Sequence, residues 1–291
     1  MRAALFPGQG VQPTAVLEAL DHDDPTVRAA NEILGFELRK RVAIGMRGKR
    51  KELPTLVAQP AIFVASVAAW RRADERDERF GAVAGHSLGE YAALVAGGAW
   101  SFEHALCVVQ IRAAAMRDAC RAGDGGMAAL LGPSLQEVET IASESGVTVA
   151  NDNSPGQVVV SGERSALERC AALAARRGAR SVLLGVEGAF HTSAMERAAE
   201  RVRDALDHVL LRQPQIPVVS NVTAAPYRAP GEIRKLLIEQ MTARVRFRES
   251  LEWLWSQGVR NLVDVGPGRV VSGLGRRTFA SLAEHREEVR V

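Results

Sequence analysis

A chain of 291 residues, 47% of them apolar, can build one large hydrophobic core, which excludes intrinsic disorder as its native condition. The formal net charge is only +3, and the one dense basic run, RGKRKE at 47–52, comes without a zinc module or an RNA-binding aromatic signature. That run reads as a solvated loop, and no nucleic-acid partner is expected.

In chain order, MRAALF reads as a first strand running into the turn PGQG, with too little apolar length to be a signal peptide. QPAIFVASVAAWRRADER carries apolar residues at helical spacing, FGAVA is strand-like, and a helix is predicted over 88–97 after GHSLG. SFEHALCVVQIRAAAMRDACRAG is helical again. From 127 to 187 the pattern changes to strand, helix, two strands joined by NSPG at 153–156, helix, strand. That βαββαβ order is the order of a ferredoxin-like unit. NLVDV before GPG returns to the first pattern. The expected fold is α/β: a discontinuous, hydrolase-like α/β domain over 1–126 and 188–291 with an inserted ferredoxin-like subdomain at 127–187. Its parallel sheet is covered on both faces, and a cleft lies at the seam.

No apolar run reaches the ~18 residues of a membrane span, so no membrane association is expected. Cys107, Cys120 and Cys170 lack metal-ligand spacing and read as small buried thiols of a reducing compartment, the cytoplasm.

Gly85-His86-Ser87-Leu88-Gly89 lies between a strand and a helix, which is the context that gives G-x-S-x-G its meaning. The turn lifts a serine hydroxyl out of the sheet, and the helix start offers amides to an oxyanion. His86 is a poor base, because adjacent residues on a sharp turn project in different directions. His104 and His208 fall on helix surfaces, His22 in the acidic stretch DHDD, and His285 in a charged tail. His191, after the last strand of the insert and before a helix starting near Ser193, is the candidate general base. On the third helix Ala105, Val109, Arg112 and Met116 share one stripe, so Arg112 interrupts an apolar face. A buried guanidinium needs an anion: a substrate carboxylate, or an internal partner such as Glu90 or Asp118.

FPGQG at 6–10, QPA at 59–61, GHSLGEYAAL at 85–94, Arg112 within VVQIRAAAM, NSPGQVVVSG at 153–162, GAFHT at 188–192 and VGPG at 265–268 follow one another along nearly the whole chain. In this the chain resembles malonyl-CoA:acyl-carrier-protein transacylases and the acyltransferase domains of polyketide synthases. The resemblance implies that Ser87 carries the acyl group, His191 is its base, and the amides of Gln9 and Leu88 form the oxyanion hole. It implies that a backbone carbonyl near Gln240 orients the histidine and that Arg112 binds the malonyl carboxylate. It also implies that Phe190 crowds an α-methyl branch and that Asn153 stands near the site. CoA thioester is then a substrate, no metal or bound cofactor is needed, an acyl carrier protein is the acceptor, and a monomer is expected. Gly188 departs from the histidine of HAFH, Arg244 from the proline of PVRF, and Pro13 is expected to interrupt the usual helix start.

Three alternatives stand beside this. One is a stand-alone polyketide acyltransferase using another acyl group. A serine thioesterase or hydrolase would use Asp264 and His285. A carrier-binding protein without chemistry is the third.

Overall fold

The first strand, β1 (Arg2–Phe6), lies inside a parallel sheet and is buried on both faces. The computed structural model describes residues 1–47, 52–121 and 123–288, so residues 48–51 of the predicted basic loop lie outside the described residues. Alternation along β1 splits the core in two. Ala4 and Phe6 pack with helices Thr55–Glu75, Gly89–Ala96 and Phe102–Arg121. Ala3 and Leu5 pack with helices Phe247–Ser256 and Val270–Glu288. Burying both faces suits near-continuous apolar strands such as RAALF and AVAG.

The remaining strands are β2 (Ala82–Gly85), β3 (Gly125–Leu131), β4 (Thr148–Ser154), β5 (Gln157–Glu163), β6 (Arg180–Leu183), β7 (Val218–Val219), β8 (Val245–Arg246) and β9 (Asn261–Asp264). The parallel sheet has the order β7-β2-β1-β9, and a second sheet the order β6-β3-β5-β4-β8. Within 125–183 the second sheet is antiparallel, with helices Leu135–Ser145 and Arg164–Arg176 packed on it through Val138, Ile141, Leu167 and Cys170. β8 adds a parallel edge strand from a distant part of the chain, pairing Asn151 with Val245 and Asp152 with Arg246.

Two local expectations change. Pro13 does not interrupt a helix; it is the first residue of helix Pro13–Ala19, where its fixed φ suits the first turn and its missing N–H costs nothing. Only Cys170 is a buried thiol: Cys107 is exposed and Cys120 half-buried, because helix Phe102–Arg121 turns its stripe of Ala105, Val109 and Arg112 inward and places Cys107 outside it. Among the described residues no helix is long and apolar enough to cross a membrane.

Candidate active site

β2 ends at Gly85, and helix Gly89–Ala96 starts four residues later, after a turn too tight for side chains at its ends. A Cβ on Gly85 would lie 2.0 Å from the Gly89 carbonyl carbon, and one on Gly89 2.1 Å from the Phe6 oxygen. Between them Ser87 is held at φ +49, a left-handed backbone that costs a non-glycine residue about 1–2 kcal/mol. His86, Ser87 and Leu88 accept from the amides of Gly89, Glu90 and Tyr91, three residues on. The Leu88 amide precedes that series, at the helix start.

His191 reaches this turn from across the molecule. Its Nε2 is 2.9 Å from Ser87 Oγ, and its Nδ1 is 2.8 Å from the Gln240 carbonyl oxygen. A carbonyl only accepts, so Nδ1 carries the proton and Nε2 presents its lone pair to the serine hydroxyl. Burial, helped by the positive charge of Arg112, pushes His191 down to about 3, so the ring is neutral through the ordinary pH range. The backbone here is also left-handed, at φ +59, and the predicted helix start is a 3₁₀ turn over Ser193–Met195 capped by the Thr192 hydroxyl.

His86 points elsewhere. Its Nε2 is 2.7 Å from Asn153 Oδ1, and its ring meets the Phe247 ring edge-on at 5.1 Å. Asn153 therefore stands at the site as a partner of His86. The rival pair is not assembled: Asp264 accepts from the Ser272 amide at 2.9 Å, and exposed His285 bonds the Ser281 carbonyl one helical turn away.

Arg112 is 1% exposed and forms no ion pair with any described residue. Nη1 donates to Gln59 Oε1 at 2.5 Å, and Nη2 to Ser87 Oγ at 3.1 Å and Gln240 Oε1 at 3.4 Å. Nε has no hydrogen-bond partner among the described residues, and the guanidinium lies 5.3 Å from the Tyr91 ring centroid. Desolvation pulls the guanidinium below its usual pKa. Neither expected internal partner binds it: Asp118 pairs with Arg117 and Arg201, and Glu90 with neutral donors.

A cleft of about 250 Å³ opens over Ser87, His191 and Arg112, with Gln9 and Leu88 in its wall and Met127, Val159 and Phe190 as apolar lining. The Gln9 side chain is fixed by the Thr55 hydroxyl, which donates to Gln9 Oε1 at 2.9 Å and accepts from Gln59 Nε2 at 2.9 Å. At position 188 a Cβ would come within 2.3 Å of Cys120 Sγ, which accounts for glycine there. Arg244 reaches Glu139 on helix Leu135–Ser145 at 2.7 Å.

Several residues at the site carry no sequence signal. Asn221 Oδ1 accepts the Ser87 amide at 2.6 Å, and its Nδ2 donates to the Gly85 carbonyl at 2.7 Å. Thr55 likewise joins the network without belonging to a readable pattern. Gln59 and Glu90 join it from within QPA and GHSLGEYAAL, where the sequence offers Glu90 only as an anion for Arg112.

The parallel sheet, the strand–turn–helix serine and the histidine facing it define a class: α/β enzymes built around a raised serine. The chain belongs to the acyl transferase domain family, whose profile matches residues 5–291. It is 39% identical over 286 residues to the malonyl CoA-acyl carrier protein transacylase of Bacillus subtilis (strain 168), covering 94% of this chain and 89% of that one. The polyketide biosynthesis protein ThaF of Burkholderia thailandensis is 38% identical over 290 residues, which is 97% of this chain and 24% of that protein. Among solved structures, an acyl-carrier-protein S-malonyltransferase from Burkholderia pseudomallei 1710b aligns with a TM-score of 0.88 at 36% identity, over 95% of this chain and 92% of that chain. A structure of a type II polyketide synthase acyl carrier protein in complex with its malonyl-transacylase aligns at 0.86 and 34% identity, over 95% and 92%.

Proposed function

We propose that this chain moves a malonyl group from CoA to the phosphopantetheine thiol of an acyl carrier protein, through a seryl ester on Ser87. The observation that carries the reading is Arg112: a buried cation with no direct ion pair among the described residues, within hydrogen-bond reach of the nucleophile, with the Glu90 carboxylate acting on it only from beyond Gln240. A malonyl carboxylate would give the guanidinium a direct anion and accept from its fork. The names of the relatives, which act on malonyl CoA and acyl carrier protein, support the same substrate pair.

His191 takes the Ser87 proton at Nε2 as Oγ attacks the thioester carbonyl, and the Gln240 carbonyl holds the resulting imidazolium. The amides of Leu88 and Gln9 receive the oxyanion. Collapse breaks the C–S bond, and His191 returns the proton to the departing CoA thiolate. The carrier thiol then gives its proton to His191, attacks the seryl ester and displaces Ser87, which is reprotonated. No metal or bound cofactor enters these steps. Phe190 narrows the cleft where an α-methyl branch would sit, a preference worth about 1–3 kcal/mol. In this reading residues 1–126 and 188–291 carry the dyad, 127–187 roof the cleft, and the protein acts as a cytoplasmic monomer in fatty acid or polyketide assembly.

The test is Ser87 acylation by a panel of acyl-CoAs, followed by mass spectrometry. Malonyl-CoA is the preferred donor, and Arg112→Ala lowers its kcat/KM by about 10²–10³ while sparing acetyl-CoA. Equal labelling by acetyl-CoA and malonyl-CoA in the unmodified protein overturns the reading.

A further inference from the structure

Among the buried ionisable groups that the transfer steps leave unused, Glu90 lies against the reacting turn. Glu90 is 0% exposed, sits at the start of the helix beneath Ser87, and forms no ion pair with any described residue. Its two oxygens are filled by neutral donors from separate segments. Tyr227 Oη donates at 2.5 Å and the Asn221 amide at 3.0 Å to Oε1, and Gln240 Nε2 donates to Oε2.

Each of the latter two donors is in turn fastened to the reacting groups. Asn221 receives the Ser87 amide through Oδ1 and holds the Gly85 carbonyl through Nδ2. Gln240 Nε2 also lies 3.0 Å from the Ser87 carbonyl oxygen, and its Oε1 faces Arg112 Nη2. Its own backbone carbonyl is the group that holds His191 Nδ1. One acceptor-only carboxylate thus gathers the arms that set the nucleophile turn, the base and the guanidinium.

We propose that Glu90 is a positioning residue for acyl transfer: its ionised carboxylate anchors Gln240 and Asn221, and through Gln240 keeps His191 aligned on Ser87. The proposal rests on the acyl-transfer reading of the same site. A carboxylate suits the position because the Gln240 and Asn221 N–H groups can only donate. A glutamine at 90 would set an NH₂ against one of them whichever way it turned. Protonation of Glu90 also weakens both bonds, since a charge-assisted hydrogen bond is roughly twice as strong as a neutral one.

The pH window follows. Burial pushes Glu90 up to about 7, against the lowering by its Tyr227, Asn221, Gln240 and Ser220 hydrogen bonds. The other titratable groups around it are Tyr91, raised by burial to about 12, Tyr227, raised well above the usual phenol value by burial and the Glu90 charge, and Arg112 beyond Gln240. Both raised phenols stay protonated at neutral pH, an arginine guanidinium keeps its proton in proteins, and His191 is held near 3. Activity therefore falls as the pH drops through about 7, the range in which Glu90 takes up its proton.

The experiment measures single-turnover Ser87 acylation by malonyl-CoA between pH 5.5 and 9 for the unmodified protein, Glu90→Gln and Tyr227→Phe, with thermal melts of each. Glu90→Gln is expected to lower the maximal rate about 10- to 100-fold with little change in the half-saturating malonyl-CoA concentration. It is also expected to lose the acid limb near pH 7. Tyr227→Phe removes one donor and shifts that limb to higher pH. A Glu90→Gln rate within twofold of the unmodified protein, or an acid limb that stays in place in Glu90→Gln, overturns the proposal. If Glu90→Gln does not fold, Tyr227→Phe decides alone: an unmoved limb overturns the proposal and an upward shift supports it. Failure of the unmodified protein to accept malonyl at any pH instead overturns the acyl-transfer reading itself.

Discussion

His86 adjoins Ser87 in the chain and His191 lies 104 residues away, yet the distant ring is the one that reaches the hydroxyl. The left-handed backbone at Ser87 turns its side chain from its neighbour's, and Asn153 claims the His86 ring. His191→Ala is therefore expected to lower Ser87 acylation by about 10³ or more, while His86→Ala keeps most of it; mass spectrometry of the labelled protein compares the two. His191 carries a second signature. The unfolded chain takes up its proton as pH falls below the ordinary 6.5, whereas the native ring stays neutral to about 3, so the folded state loses stability across that interval. Urea midpoints measured from pH 7 to 4 should fall less steeply in His191→Ala than in the unmodified protein. Ser87, His191 and Arg112 could be picked from the sequence because each breaks a local pattern: a serine between glycines, a histidine at a strand end, a cation on an apolar stripe. Asn221 could not. It acts on Ser87 across 134 residues, and nothing near it in the chain records that bond.

At the scale of elements, the strand–turn–helix around Ser87 was legible because both glycines are steric necessities. Helix Leu135–Ser145 was equally legible, opening on a capping box between Ser134 and Glu137. β7 and β8, of two residues each, were not, since so short a run has no period. The end of β4 was hard for another reason: Asn151, Asp152, Asn153 and Ser154 are all buried, and register shifts against β5 break the alternation. Replacing Gly89 tests the turn. An alanine there must push against the Phe6 carbonyl that closes β1, so Gly89→Ala is expected to destabilise by about 3 kcal/mol, the upper end for overpacking. The same change should abolish Ser87 labelling, and denaturant unfolding read beside acylation tests both effects.

For the molecule as a whole, the α/β class, the parallel sheet and the second sheet could be anticipated from runs of apolar residues ending in glycine turns. How the two sheets are fastened could not, because that depends on pairs far apart in sequence. Arg248, on helix Phe247–Ser256, holds the buried Asp152 of β4, with Nε and Nη2 each 2.9 Å from Oδ2. Asp152 precedes Asn153, which partners His86 and lines the cleft, so this tie also braces that part of the cleft wall. Arg248→Ala strands a buried carboxylate and should cost about 3–5 kcal/mol, read as a lower urea midpoint, whereas Arg244→Ala, which frees only exposed Glu139, should cost under about 1 kcal/mol. The left-handed backbone at Ser87 has a consequence for the stability of the entire chain. At most sites a glycine is about 0.5–1 kcal/mol worse than an alanine, because the unfolded chain gains freedom. At position 87 the alanine must bear about 1–2 kcal/mol of steric penalty that the glycine escapes. Of two equally inactive proteins, Ser87→Gly should then melt above Ser87→Ala. The molecule keeps its reactive hydroxyl in a posture that its own fold would rather give to glycine.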